Sequence, residues 1–140
     1  MNIIEKDIWG PKYWYVLHKI VSTYPEHPTK PIRRKYYDFI MNIPMFLPDT
    51  DIGYDFQSLL DMYPVSSYLD SRNDLSRWMH FIHNQVNRNL DKPELGYEEA
   101  MEKLERITFY TDYSLKDNKL HLYISIIGFL CIVAYFVYSR

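Results

Sequence analysis

WGPKYWYVLH at residues 9–18 and HNQVNRNLDKPELGY at residues 83–97 are the two stretches that decide the fold of this chain. Trp14 and His18 are four residues apart, and so are His83 and Asn87. Residues at this spacing share one face of an α-helix. Residues 10–18, and residues 83–90 of the second stretch, are therefore predicted to lie on helices that each present ring and polar side chains together.

The rest of the chain also shows helical periodicity, and no segment alternates as a strand would. The first helix is predicted to begin near Gly10-Pro11, because Pro suits a first helical turn. Pro44 should kink or end the second helix, and Ser71 with Asp74 resembles a capping box that starts the fourth. The prediction is an all-α chain with helices over roughly 10–24, 31–47, 54–62, 71–90 and 98–109.

The composition of the chain argues against several kinds of binding site. The net charge is −2 and the pI about 6.2, which gives no electrostatic basis for binding nucleic acid. The one cysteine, Cys131, allows no disulfide within the chain and no cysteine-bearing metal site. His80 and His83 lack a third ligand at a zinc spacing, so no metal is predicted. The 17% of aromatic residues fits either an aromatic core or a pocket for a flat ligand.

Residues 120–138 read LHLYISIIGFLCIVAYFVY, without Asp, Glu, Lys or Arg. Nineteen residues of helix extend about 28 Å, close to the roughly 30 Å of a bilayer core. This segment is predicted to be a transmembrane anchor, with a buried C-terminal helix as the alternative. No signal peptide is visible at the N-terminus. The expectation is a single-pass, tail-anchored protein whose domain faces the cytoplasm.

Several side chains in the two opening stretches suit a dinucleotide bound by helices. Such a ligand needs aromatic faces for its rings, polar groups for ribose, and a cation for pyrophosphate. A histidine packed beside a Trp in the core is the alternative. The residues of suitable type are Trp14, His18, His83, Asn84, Asn87, Lys92 and Tyr97.

The motifs W-G-P-x-x-W-x-x-L-H, Y-P at residues 24–25, H-N-x-V-N-x-x-L-x-K-P and Tyr97 resemble the Erv/ALR family of FAD-linked sulfhydryl oxidases. The resemblance covers about residues 8–105. It implies a five-helix fold that holds FAD within a four-helix bundle, and a homodimer. The predicted domain is 1–109, with a linker over 110–119. The FAD contacts it implies are Gly10, Trp14, His18, His83, Asn84, Asn87, Lys92 and Tyr97.

One departure from the family pattern concerns its reactive cysteines. The family places Cys-x-x-Cys after a Leu-Pro at the end of the second helix. Here Leu47-Pro48 is followed by Asp49-Thr50-Asp51-Ile52, so Asp49 and Ile52 stand at the cysteine positions. A carboxylate and an alkyl group cannot exchange disulfides, so no catalytic residue is predicted. One of the two aspartates is expected to cap the third helix.

Three functions remain open. The chain is an FAD-linked thiol oxidase that accepts electrons from external protein thiols, a catalytically inactive flavin-binding protein that binds partners, or a structural protein without FAD. By analogy with the family, the setting would be viral, at a virion or host membrane.

Overall fold

The computed structural model describes the backbone of residues 3–138 and the side chains of residues 6–107, 120–130 and 138. Every regular element in this described part is helical, which confirms the all-α class. The elements are α1 (Ile3–Ser22), α2 (Lys30–Asn42), a 3-10 helix (Ile43–Phe46), α3 (Thr50–Met62), a second 3-10 helix (Val65–Tyr68), α4 (Arg72–Asn89) and α5 (Tyr97–Tyr138).

Helix α1 begins earlier than predicted, at Ile3, so Pro11 lies inside it. An internal proline removes one helical hydrogen bond and costs about 3 kcal/mol. The segment before it is held by two ion pairs with distant parts of the chain. Lys6 Nζ lies 3.2 Å from Asp49 Oδ2, and Asp7 Oδ1 lies 2.5 Å from Lys92 Nζ. These long-range contacts favour the helix beyond the point where local sequence predicts its start.

The predicted helix caps are present. Asp49 caps α3, since its Oδ1 accepts from the amides of Asp51 at 3.0 Å and Ile52 at 3.3 Å. Ser71 caps α4, since its Oγ accepts from the Asp74 amide at 3.1 Å. Helix α2 ends at Asn42, just before Pro44, as predicted. Local sequence is sufficient to predict these caps because each one joins residues that are two or three positions apart.

Helices α1 to α4 enclose the core. Tyr24 is fully buried at its centre, and its hydroxyl donates to the Leu69 carbonyl at 2.8 Å. Trp78 is a core residue: it is 2% exposed, and its indole N–H donates to the Tyr63 carbonyl. The core side chains are Leu17, Val21, Tyr24, Ile40, Ile43, Phe56, Leu60, Val65, Leu69, Leu75, Trp78, Met79 and Ile82.

A Tyr24→Phe variant is expected to lose about 1–3 kcal/mol of unfolding free energy, because a buried carbonyl is left without its donor. Urea denaturation measures this difference. Tyr37→Phe is the matched control on α2, and it is expected to change stability by less than about 0.5 kcal/mol. Equal effects of the two substitutions would contradict the role given to the Tyr24 hydroxyl.

The contacts divide the chain into two compact units, Met1–Tyr97 and Glu98–Arg140. In the second unit, α5 continues unbroken through residues 110–119, where a linker was predicted. The domain boundary near residue 109 stays a prediction.

The transmembrane anchor predicted for residues 120–138 is wrong. Within the described residues, no helix contains a stretch that is both long and apolar enough to cross a bilayer. Within residues 120–130, whose side chains the structure describes, the polar residues His121 and Ser125 interrupt the apolar run. Residues 131–137 of the predicted anchor lie outside the described side chains.

Candidate functional site

Three of the predicted site residues meet where α1 packs on α4. The rings of Trp14 and His83 stack with their centroids 3.9 Å apart and their planes 10° from parallel. His18 lies one turn after Trp14, and its Nε2 is 3.1 Å from His83 Nδ1. One of these two nitrogens must carry the proton that the other accepts. The three side chains, here called the ring cluster, thus form one connected unit.

The ring cluster is poorly hydrated. His18 is 7% exposed, and Phe56 of α3 packs against Trp14 with ring centroids 6.0 Å apart. Burial, with a smaller contribution from His80, lowers the pKa of His18 from 6.5 to about 4. His18 is therefore neutral at pH 7.

This lowered pKa predicts acid sensitivity. The unfolded chain binds a proton at His18 below pH 6.5, whereas the folded chain binds it only near pH 4. The contribution of neutral His18 to the free energy of unfolding is therefore fully present above pH 6.5. It falls by up to about 3 kcal/mol as the pH drops toward 4. Urea denaturation between pH 7.5 and pH 4 measures the loss.

A His18→Gln variant is the test of this assignment, because glutamine does not titrate in that range. It should lose less stability than the natural chain over the same pH interval. His27→Gln, at an exposed position, is the matched control and should behave like the natural chain. An unchanged pH profile in His18→Gln would contradict the prediction.

Asn84 and Asn87 hold the loop that follows α4. The Asn84 amide donates to the Leu95 carbonyl at 2.9 Å and accepts from the Leu95 amide at 3.3 Å. Asn87 Nδ2 donates to the Pro93 carbonyl at 3.4 Å, and the Asn87 carbonyl accepts from the Lys92 amide at 2.8 Å. The loop needs such support because Asp91 adopts a left-handed backbone with φ 52°. Both asparagines therefore position the loop that carries Lys92.

Gly10 lies within the N-terminal half of α1, and Lys92 contacts the same half of this helix. The Lys92 ammonium pairs with Asp7, and both side chains are exposed, which makes the pair weak and easily exchanged. Gly10 has no atom within 4 Å of the position a Cβ would occupy. The indole Nε1 of the preceding Trp9 is buried and has no hydrogen-bond partner among the described residues.

Tyr97 is the first residue of α5 and contacts α4. Its hydroxyl lies 3.0 Å from Ser76 Oγ, and the Arg77 guanidinium lies 4.4 Å from the centroid of its ring. Its ring also meets His80 edge-on at 5.5 Å.

His80 is a polar residue of this region that the predicted site residues do not include. It is 8% exposed, and its Nδ1 has no hydrogen-bond partner among the described residues. Its Nε2 lies 3.2 Å from the Asn84 amide, one helical turn away. That spacing of four residues is the sequence signal that could have identified it. Burial lowers the pKa of His80, so it adds a second neutral imidazole to the region.

Comparison with known proteins agrees with this geometry. A sequence model of the Erv1/Alr family matches residues 11–106 of the chain. The chain belongs to the Erv1/Alr family.

Relatives of this Erv1/Alr chain include viral proteins. A putative FAD-linked sulfhydryl oxidase of Invertebrate iridescent virus 3 is 31% identical over 71% of this chain and 68% of its own length. A probable FAD-linked sulfhydryl oxidase of Acanthamoeba polyphaga mimivirus is 33% identical over 70% of this chain and 69% of its own.

Solved structures resemble the fold as well. The yeast Erv1 core superposes with a TM-score of 0.62 at 26% identity, covering 70% of this chain and 79% of that one. The FAD-binding domain of Erv1 from Saccharomyces cerevisiae gives a TM-score of 0.63 at the same identity, covering 70% and 89%.

This Erv1/Alr chain lacks the family's cysteine pair, since Cys131 is its single cysteine. Asp49 is buried at the start of α3, where it caps the helix and pairs with Lys6. Burial by itself raises the pKa of Asp49, but hydrogen bonds from the Ile52 amide and from Lys6 outweigh it, and the pKa lies below its usual value. The Asp49 carboxylate therefore stays ionised and has a structural role.

Proposed function

We propose that this Erv1/Alr protein binds FAD at the ring cluster and does not oxidise thiols through a dithiol of its own. The observation that carries the proposal is the stacked and hydrogen-bonded arrangement of Trp14, His18 and His83 in a chain that has a single cysteine. The relatives' names support FAD as the cofactor, because they are described as FAD-linked sulfhydryl oxidases.

The chemistry of the ring cluster fits a flat, conjugated ligand. Stacking at 3.9 Å leaves no gap between Trp14 and His83, so a ligand ring would lie against an outer face of the pair. Neutral His18 can share a hydrogen bond there without bringing a charge into apolar surroundings. When bound, FAD would supply the capacity to accept two electrons and pass them to oxygen.

The polar residues fit the remainder of a dinucleotide. Lys92 can exchange its exposed pairing with Asp7 for a pyrophosphate. The two buried nitrogens without partners, Trp9 Nε1 and His80 Nδ1, are donors or acceptors that a ligand or a water can satisfy. The proposed contacts are those implied by the family: Gly10, Trp14, His18, His83, Asn84, Asn87, Lys92 and Tyr97.

Purification of the full chain tests the proposal. A yellow protein with one FAD per chain and a flavin absorbance spectrum is the expected result. A colourless protein that is folded by circular dichroism, and that does not take up added FAD, would contradict the proposal and favour a structural protein without FAD. Oxygen consumption with dithiothreitol then separates the other two functions. Turnover clearly above that of free FAD would show that external thiols reduce the flavin directly, as in the thiol oxidase alternative, whereas turnover no higher than that of free FAD would identify a catalytically inactive flavin-binding protein.

The family resemblance also leads us to propose a homodimer. Ile8 and Val16 of α1 are 56% and 51% exposed, and Phe39 of α2 is 40% exposed, which gives these helices apolar surface suited to a partner. Light scattering coupled to gel filtration measures the mass in solution. A monomer at micromolar concentration would contradict this part.

A further inference from the structure

The most exposed apolar side chains of the first unit lie close together in sequence. Among residues 6–97, the four large hydrophobic side chains with the greatest exposure are Met45 at 78%, Phe46 and Tyr54 at 71%, and Met62 at 64%. All four belong to α3 or to the 3-10 helix before it. Single exposed hydrophobic residues are common on protein surfaces, but a group confined to α3 and the 3-10 helix before it indicates an interaction surface.

Helical spacing places the exposed residues of α3 on one side. Asp51, Tyr54, Asp55, Ser58, Asp61 and Met62 are exposed, whereas Gly53, Phe56, Leu59 and Leu60 are buried. At 100° per residue, the exposed set covers about a third of the helix circumference. The opposite side carries Phe56, which contacts Trp14 of the ring cluster. We call the exposed set, with Met45 and Phe46, the α3 face.

The 3-10 helix is held tightly against the first turn of α3. A Cβ at Gly53 would lie 2.8 Å from the Pro44 carbonyl oxygen, so the close approach depends on glycine at this position. On the other side, the Tyr13 hydroxyl donates to the Phe46 carbonyl at 3.0 Å. The backbone that carries Met45 and Phe46 is therefore held next to the first turn of α3.

The charges of the α3 face have one sign. Residues 50–62 contain Asp51, Asp55 and Asp61 but no Lys or Arg. Among the ion pairs of the described side chains, these three carboxylates do not take part. The only side-chain partner that the described structure gives them is Gln57, which donates to Asp61 at 2.9 Å. The surface thus combines apolar groups with uncompensated negative charge.

We propose that the α3 face binds a basic amphipathic helix of a partner protein. Met45, Phe46, Tyr54 and Met62 supply apolar contact, and flexible methionines adapt to an apolar helix face. The three aspartates select a partner that carries Lys or Arg around its apolar stripe. A second copy of this chain fits less well, because a two-fold interface would place the same aspartates opposite one another. This inference is independent of FAD.

A designed probe tests the charge preference. It is a fluorescein-labelled 18-residue helical peptide of Leu and Lys with one apolar stripe, and its control is the same peptide with Glu in place of Lys. Fluorescence anisotropy with the full chain should show binding of the Leu/Lys peptide that weakens as salt is added. Equal binding of the two peptides, or none of either, would overturn the proposal.

Surface variants locate the binding. Asp55→Asn/Asp61→Asn, both beyond the first turn of α3, should weaken binding of the Leu/Lys peptide roughly tenfold. Tyr54→Ser/Met62→Ser should weaken it by a similar factor. The matched control is Tyr68→Ser/Leu90→Ser, which removes exposed apolar groups from the second 3-10 helix and from the residue after α4, and should leave peptide binding unchanged. The proposal is also overturned if the Tyr54→Ser/Met62→Ser variant lowers the mass in solution, because a second copy would then occupy the face.

Discussion

An Asp49→Cys/Ile52→Cys double variant is expected to oxidise dithiothreitol with FAD bound, at a rate at least about tenfold above that of the natural chain. The two positions are three residues apart at the start of α3, and the Asp49 side chain already reaches the Ile52 amide. A cysteine at the first position would lie at a helix N-terminus near the Lys6 ammonium, 3.2 Å from the present carboxylate. Both features favour the thiolate that attacks a disulfide or transfers electrons.

The reaction balances with the groups available. The two thiols of dithiothreitol lose two electrons and two protons and form one disulfide by exchange through the new cysteine pair. Oxygen accepts these electrons and protons and becomes hydrogen peroxide. Oxygen uptake and peroxide formation measure the rate.

Two control variants separate the dithiol from its surroundings. Asp49→Ser/Ile52→Ser keeps a side-chain cap for α3 but no sulfur, so it should retain FAD without turnover. Asp49→Cys alone has one thiol and should also be inactive, because it cannot form the internal disulfide. If the double-cysteine variant binds FAD and stays inactive, the chain has lost more of the oxidase site than its cysteines.

A Trp14→Ala variant is expected to lose about 3 kcal/mol of unfolding free energy and to bind FAD at least roughly tenfold more weakly. The substitution removes the 3.9 Å stack on His83 and the contact with Phe56, and it leaves a cavity between α1, α3 and α4. It also removes the support that fixes His83 for its hydrogen bond with His18. Urea denaturation and a fluorescence titration of the flavin-free protein with FAD measure the two losses.

Trp14→Phe and Lys12→Ala are the controls for this prediction. Trp14→Phe keeps an aromatic ring and should lose less of both properties. Lys12→Ala removes an exposed side chain of the same helix and should change neither. If Trp14→Ala lowers stability but leaves the FAD affinity of the folded protein unchanged, Trp14 is a core residue and not part of a flavin site.

Much of the fold was predictable from short-range signals. The caps at Asp49 and Ser71 and the end of α2 before Pro44 depend on neighbours within a few residues, and the structure contains all three. The start of α1 was not predictable, because Lys6 and Asp7 reach Asp49 and Lys92 across the fold. The predicted membrane anchor was wrong, since no helix among the described residues contains a stretch that is both long and apolar enough to cross a bilayer.

For the candidate site, the sequence identified the residue types but not all of their roles. Trp14, His18 and His83 meet as a cluster, whereas Asn84 and Asn87 bind the loop backbone and Tyr97 packs on Arg77. His80 was missed because its burial and its unsatisfied nitrogen follow from packing.

By itself, the sequence determined the helical class, the membership of the Erv1/Alr family and the absence of a cysteine pair, since spacing and residue type are local properties. Only the tertiary structure decided that Trp14 stacks on His83, that Asp49 is held by Lys6, and that the acidic side of α3 is exposed. The physical reason is that stacking, ion pairing and burial depend on which distant segments pack together.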